Sequence, residues 1–175
     1  MIISVDEAKK LIDIPEKWTN EKLSMKLKAI EQIIRKYTAN NFQKTAYRKT
    51  ADIIGGLFVV EAITPFVVGD TVQISESGLN EGLYTVLSAN DESFTVEEAV
   101  VDEAAVLVTK VEYPEDVVDC ALNLLDWEIK NRQKVGVKSE TLSRHSVTYE
   151  DSASMFHGYP KGILNAVKLH KKVRF

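Results

Sequence analysis

Histidine, cysteine and paired carboxylates are the residue types that most often carry chemistry, and this chain has few of them in a useful pattern. Its three histidines, His145, His157 and His170, are 12 and 13 residues apart, and none has a Cys, Asp or His at the spacing of a metal site. The single cysteine, Cys120, excludes an internal disulfide framework, and such a residue is more often a buried thiol than a reactive one. These residues therefore predict neither a metal centre nor a nucleophilic site.

The carboxylates are concentrated between residues 51 and 116, where 14 Asp and Glu accompany one Lys. They are spread over predicted turns, so no catalytic pair stands out, and a divalent-cation site among them is the alternative. The chain has no G-x-S-x-G, no phosphate-binding loop and no G-x-G-x-x-G, and Gly55-Gly56 is typical of a hairpin turn. We expect no catalytic residue, no cofactor and no metal, and a protein that is not an enzyme.

The basic residues lie on either side of this acidic middle. Residues 1–50 hold 11 Lys and Arg against 6 Asp and Glu, and residues 117–175 hold 10 against 6. The acidic middle is either an ordinary solvated surface, or a surface that attracts another copy of the chain or repels nucleic acid. No apolar run approaches the length of a membrane span, and the N-terminus lacks the pattern of a signal peptide, which favours an intracellular protein.

Helices are predicted near both ends of the chain. Ser4 and Glu7 form a capping-box pattern, which predicts a short helix over residues 5–13. Asn20 is expected to cap a longer helix that ends at Asn40-Asn41. A central helix is predicted over 114–134. Its apolar arc is wider than the stripe that a helix buries against a single neighbour, so it should pack against more than one neighbouring element. A final helix is predicted over residues 161–171.

The pattern changes to short β-strands between residues 45 and 111. The predicted strands are 46–53, 57–63, 71–75, 83–88, 93–97 and 105–111. Short strands with frequent turns indicate a small antiparallel barrel, and PFVVGDTVQI is typical of SH3-like barrels. The expected fold class is α+β: a frame of about four helices, formed by 1–44 and 112–175, is interrupted by an inserted acidic β-barrel at 45–111.

The segment between the last two helices is long for a compact domain. Its residues 141–149, TLSRHSVTY, alternate in the manner of one extended strand. A lone strand needs a partner, so we expect it to pair with an adjacent copy around a ring, and the alternative is that it folds back on the β module. The expected inter-subunit residues are Thr141, Leu142, Arg144, His145, Val147 and Tyr149.

Three parts of the chain resemble the phage head–tail connector proteins, also called head-completion or portal-adaptor proteins. SVDEAKKLIDIPE and RKYTANNF are similar to the family's first two helices, and VEYPEDVVDCALNLLDWEIKNR is similar to its central helix. GVKSETLSRHSVTYEDS and YPKGILNAVKLHKKVRF resemble its extended loop and C-terminal helix. The acidic β module is a departure, since simpler members join the second and central helices by a shorter connection.

The resemblance implies a structural protein of the virion neck that is present in the host cytoplasm during assembly. It implies a ring of about twelve copies under the portal, which extends the DNA channel without binding DNA specifically and meets a downstream neck or tail-completion protein. The basic, aromatic-tipped end suits docking to the portal through Lys168, Lys171, Lys172, Arg174 and Phe175, although lysines at a helix C-terminus also have a local capping role. The alternatives are a protein-binding module, in which the barrel recognises a peptide, and a carboxylate-dependent enzyme.

Overall fold

The fold is α+β and is described from a computed structural model. The structure describes residues 1–61, 63–131, 139–142, 145–148 and 154–173. Within these residues it contains four α-helices and a closed antiparallel barrel of six strands. The expected combination of helices with a small antiparallel barrel is thereby confirmed.

The helices and strands follow one another in an order close to the predicted one. The helices are α1 (Val5–Leu11), α2 (Asn20–Thr38), α3 (Glu115–Asn131) and α4 (Lys161–Leu164), and a 3₁₀ helix (Asn165–His170) continues α4. The barrel strands are β1 (Gln43–Ile54), β2 (Leu57–Val60), β3 (Thr71–Ser75), β4 (Gly82–Ala89), β5 (Ser93–Val96) and β6 (Glu103–Val111). Two small pairs follow, β7 (Ser139–Leu142) with β8 (His145–Thr148), and β9 (Met155–Phe156) with β10 (Tyr159–Pro160).

The described chain divides into two compact units. The barrel unit consists of Met1 and Asn41–Tyr113, and the helical unit consists of Ile2–Asn40 and Pro114–Phe175. The sequence predicts domain boundaries at residues 44–45 and 111–112, whereas the two units of the structure are divided at residues 40–41 and 113–114. Whether each unit folds by itself remains a prediction.

The barrel closes in the strand order β1-β2-β5-β4-β3-β6. Its inward side chains alternate along the strands, and aromatic rings occupy the centre: Phe58 stacks on Phe94 with centroids 4.5 Å apart, and Phe66 meets Phe94 edge-on at 5.0 Å. Gly55 and Gly56 both have positive φ, as the two-residue turn between β1 and β2 requires. The predicted hairpin turn at these glycines is confirmed.

The two ends of the barrel segment lie side by side. Gln43 pairs with Val111, and the Glu112 amide donates to the Phe42 carbonyl at 3.0 Å. The Phe42 and Tyr113 rings lie 5.0 Å apart just beyond this pair. The chain therefore leaves the barrel close to the place where it entered.

The helical unit is built around contacts of α2 with α3 and of both with the 3₁₀ helix. The fully buried apolar side chains are Leu23, Leu27, Ile30 and Ile34 of α2, Val117, Ala121, Leu124 and Leu125 of α3, and Leu164 and Val167. One ion pair lies among them: Lys26 Nζ is 2.6 Å from the carboxylate of Glu128, whose side chain is 1% exposed. The central helix packs against more than one neighbour, as its broad apolar arc predicts.

Several helix ends differ from the predicted ones. α1 stops at Leu11, and Ile12 is already extended. Thr19 rather than Asn20 caps α2, because its hydroxyl accepts from the Lys22 amide at 3.3 Å. The left-handed residue that ends α2 is Ala39, with φ 50°, where the sequence favoured asparagine.

The last helix and the predicted long strand also differ. Residues 161–171 do not form one α-helix, because the chain tightens into a 3₁₀ helix after Leu164. Residues 141–149 are not one strand: residues 139–142 and 145–148 pair with each other, with Leu142 opposite His145. The prediction of a single strand was wrong, because each of the two short strands has the other as its antiparallel partner. Pairing with an adjacent copy stays a prediction.

Replacement of residues 43–111 by a short Gly/Ser linker should leave a folded helical protein. The reason is that Phe42 and Glu112 are already at hydrogen-bond distance, so a short linker spans them without strain. Circular dichroism should show helix content and a cooperative thermal transition.

The matched control is Leu124→Ala in the shortened protein, which should cost about 2–5 kcal/mol because Leu124 is fully buried among the helices. A shortened protein that melts without cooperativity would show that the barrel contributes to the core of the helical unit.

Candidate functional site

The basic C-terminal segment, residues 168–173, is held against the end of α2. The Lys172 amide donates to the Thr38 carbonyl at 2.8 Å, and the Asn40 side chain donates to the His170 carbonyl at 3.2 Å. The Lys171 ammonium lies 4.0 Å from the centre of the Tyr37 ring. The segment therefore has a defined backbone, and Lys171 has a local structural role.

The same segment exposes apolar side chains that the sequence analysis missed. Leu169 is 96% exposed and Val173 is 76% exposed, and Lys168 and Lys172 beside them are exposed as well. The sequence prediction for this end named its basic residues and Phe175 for docking to a partner, with helix capping as the alternative, and did not include Leu169 or Val173. Arg174 and Phe175, the other predicted partner-binding residues, lie outside the described residues.

His170 is tied to the beginning of α3. Its Nε2 lies 2.7 Å from the Asp116 carboxylate. The nearby Cys120 thiol is buried and lies 3.6 Å from the Ile163 carbonyl. Burial, with smaller contributions from the Asp119 and Asp116 carboxylates, raises the pKa of Cys120 to about 11, so the thiol is almost entirely protonated near neutral pH.

The structure brings four of the predicted inter-subunit residues into one hairpin. Thr141 and Leu142 are in β7, and His145 and Val147 are in β8. Among the described strands, β7 and β8 pair only with each other, so β7 and β8 each have one edge without a strand beside it. Arg144 and Tyr149 lie outside the described residues.

A carboxylate that the sequence did not single out organises the turn between β3 and β4. Glu103 accepts hydrogen bonds from the Ser77 hydroxyl at 2.5 Å and from the Gly78 amide at 2.7 Å. It also accepts from the Leu79 amide at 3.3 Å and from the Asn80 side chain at 2.8 Å. The Ser77 hydroxyl first, and then the Gly78 amide, lower the pKa of Glu103.

The side chain of Asn80 joins this turn to the segment before β6. Its carboxamide accepts from the Val101 amide at 2.8 Å and donates to the Val101 carbonyl at 2.9 Å. Asn80 is 2% exposed, whereas the neighbouring Leu79 and Val101 are 66% and 55% exposed. Two exposed apolar side chains are thus presented on a hydrogen-bonded backbone.

The acidic residues of the barrel form no cluster that could hold a metal ion. Across the described part of the chain, no group of three or more His, Cys, Asp or Glu has suitable geometry. The same residues contain no helix that is long and apolar enough to cross a membrane.

No protein-family model matches the chain, and no curated protein matches it at a significant level. The interaction surfaces must therefore be interpreted from their own chemistry.

Replacement of Glu103 by Gln should weaken the pH dependence of barrel stability. A lowered pKa in the folded state means that the carboxylate stabilises the fold above the pKa of the unfolded chain, and that this stabilisation is lost as pH falls through the folded pKa. Thermal melts of the wild type followed by circular dichroism should show falling stability from about pH 6 to about pH 3. The Glu103→Gln variant should melt at a lower temperature than the wild type at the upper end of this pH range. Its melting temperature should also change less between the two ends of the range.

The exposed Glu81 lies in the same turn and takes no part in this set of hydrogen bonds, so Glu81→Gln is the matched control and should behave as the wild type. Equal pH dependence in the wild type and in Glu103→Gln would show that the hydrogen bonds to Glu103 do not stabilise the turn.

Proposed function

We propose that this chain is a structural head–tail connector of a phage or prophage. In this role copies form a ring under the portal, extend the DNA channel and join the head to a downstream neck or tail-completion protein. The observation that carries the proposal is the resemblance of residues 4–16, 35–42, 111–132, 136–152 and 159–175 to the connector family. The protein would act in the virion neck, after assembly in the host cytoplasm, without catalysis and without a cofactor.

The packing of the helical unit supports the proposal. The segments that resemble the family supply its helices, and α2, α3 and the 3₁₀ helix bury their apolar side chains against one another. A connector needs such a rigid subunit, because each copy must present the same surfaces to its neighbours around a ring.

We also propose that the barrel is an SH3-like module inserted into a helical connector frame. Six short antiparallel strands in a closed barrel support this assignment, as does the turn within PFVVGDTVQI. In that turn the Asp70 carboxylate accepts from the Val67 amide at 3.0 Å and from the Lys110 ammonium at 2.8 Å. The adjacent chain ends at Phe42 and Glu112 suit an insertion.

The acidity of the barrel suits a neck through which DNA passes without specific binding. Residues 41–113 contain 12 Asp and Glu and four Lys and Arg. Two of the four basic residues are paired with carboxylates: Lys44 with Glu112 at 2.7 Å and Lys110 with Asp70 at 2.8 Å. A surface of this charge repels the phosphate backbone and gives little of the electrostatic attraction on which DNA affinity depends.

A protein-binding module is the second candidate function. The exposed Leu79 and Val101 on their hydrogen-bonded turn favour it, because exposed apolar side chains on an ordered backbone are suited to a protein partner. The two candidates differ in what the helical unit must do, since only a connector requires that unit to assemble around a portal.

The proposal is tested by mixing the purified protein with the portal protein encoded beside its gene and imaging the particles by electron microscopy. Added density with the rotational symmetry of the portal, directly beneath it, is the expected result. Portal alone and portal with an unrelated acidic protein are the controls. Portal particles that remain unchanged at saturating concentrations of the chain would refute the connector function.

The hairpin of β7 and β8 should gain hydrogen-exchange protection when copies assemble. In the ring, the outer edge of one strand would pair with a neighbouring copy, so amides that point outward become protected. Exchange measured on a verified monomer and on assembled rings should differ within residues 139–142 and 145–148.

The amides in the middle of α3 supply an internal reference, because their helical hydrogen bonds should protect them in both states. Equally slow exchange of the hairpin amides in the monomer would exclude ordering of this segment by assembly.

A further inference from the structure

One end of the barrel combines exposed apolar residues with acidic ones. Leu79 and Val101 lie on adjacent backbone segments, because the Asn80 side chain binds both polar groups of the Val101 backbone. The β1–β2 turn belongs to the same end, since the Gly55 amide donates to the Asp102 carboxylate at 2.7 Å, and Ile54 beside it is 62% exposed. We call this end the turn face and define it by Ile54, Leu79 and Val101 with the exposed acids Glu76, Glu81 and Asp102.

The basic residues of the barrel lie away from the turn face. Arg48 and Lys49 lie opposite Thr109 and Val108, in the half of β6 that is farther from Glu103, and Lys110 lies opposite Val72 near the beginning of β3. Glu103, by contrast, stands at the beginning of β6 beside the turn face. The turn face is therefore apolar and acidic, and it attracts a partner that is apolar and basic.

The C-terminal segment, residues 168–173, has this complementary chemistry. Leu169 and Val173 project from it with little cover, and Lys168 and Lys172 flank them. Hydrogen bonds from Lys172 to Thr38 and from Asn40 to His170 hold its backbone, so little ordering entropy is lost when it binds.

We propose that the C-terminal segment of one copy docks on the turn face of a second copy. Leu169 and Val173 would pack on Leu79, Val101 and Ile54, while Lys168 and Lys172 would face Glu76 and Glu81. The contact is heterologous, because it joins two different surfaces, and a heterologous contact can close into a ring of many copies, whereas one self-complementary contact gives only a dimer. This inference rests on the self-association within the proposed function, but it needs no portal.

The test is sedimentation velocity of the intact protein over a range of concentrations, at low and at high salt. The wild type should associate, and added salt should weaken the association because exposed charges contribute to it. Lys168→Glu with Lys172→Glu, and separately Glu76→Lys with Glu81→Lys, should each weaken association about tenfold or more. Lys10→Glu with Lys17→Glu makes the same change of charge on exposed residues near α1, and it should leave association unchanged.

Mixing the two charge-reversed variants provides the decisive measurement. Each variant keeps one native surface, and the two altered surfaces are complementary to each other, so an equimolar mixture should associate about as well as the wild type. Leu79→Ser should weaken association without a change of charge. Circular dichroism of each variant verifies that the exposed substitutions leave the fold intact.

The inference would be overturned if the wild type stays monomeric at every concentration. It would also be overturned if the charge-reversed variants associate normally, or if their mixture fails to restore association. Loss of portal binding with normal self-association in the Lys168→Glu, Lys172→Glu variant would assign the segment to the portal, and the connector function would then stand without this contact. If the protein adds no density to the portal but the mixture of variants restores association, the contact between copies would stand and the connector function would be refuted.

Discussion

The pairing of β1 with β6 is the constraint on which the organisation of this chain depends. It closes the barrel and sets the Phe42 carbonyl 3.0 Å from the Glu112 amide, so the chain returns to the place where it left. Because of that return, α2 and α3 can bury their apolar side chains against each other even though the whole barrel separates them in sequence. The entropy cost of joining distant segments grows slowly with their separation, so a long insertion with adjacent ends is tolerated.

Within the helical unit, a polar contact adds specificity to apolar packing. Glu128 is almost completely buried, and a buried carboxylate is costly unless a partner compensates for the loss of water. Lys26 supplies a charge at 2.6 Å, and its partly exposed side chain keeps contact with solvent. A shift of α2 along α3 would separate these groups, so the pair favours one register of the two helices.

The charged residues of the barrel are unevenly distributed, so its two ends differ in charge. Two of the basic residues of β1 and β6 are paired with acids, Lys44 with Glu112 and Lys110 with Asp70. At the beginning of β6, Glu103 orders the turn between β3 and β4, and the exposed acids Glu76 and Glu81 belong to the same turn. The proposed roles in assembly depend on this separation of charge, since a uniformly acidic barrel would attract basic partners without preferred orientation.

Local features of the chain were predictable from the sequence because neighbouring residues decide them. The capping box of Ser4 and Glu7, the period-two pattern of Thr71–Ser75 and the turn at Gly55-Gly56 each depend on a few adjacent side chains. The combination of helices with a small antiparallel barrel followed from these local signals.

The remaining features depend on groups that are far apart in sequence and that only the tertiary structure brings together. Glu103 orders a turn 23 to 26 residues before it, and no period or motif signals that pairing. At the end of the 3₁₀ helix, the His170 carbonyl accepts from the Asn40 side chain and the Lys172 amide donates to the Thr38 carbonyl, and both partners lie about 130 residues earlier in the chain. These contacts compete with the local preference for an α-helix. Sequence by itself placed the first three helices and the six barrel strands to within a few residues. The tertiary structure decided the form of the last helix and which polar groups meet, because hydrogen bonds between distant residues form only once the chain has folded.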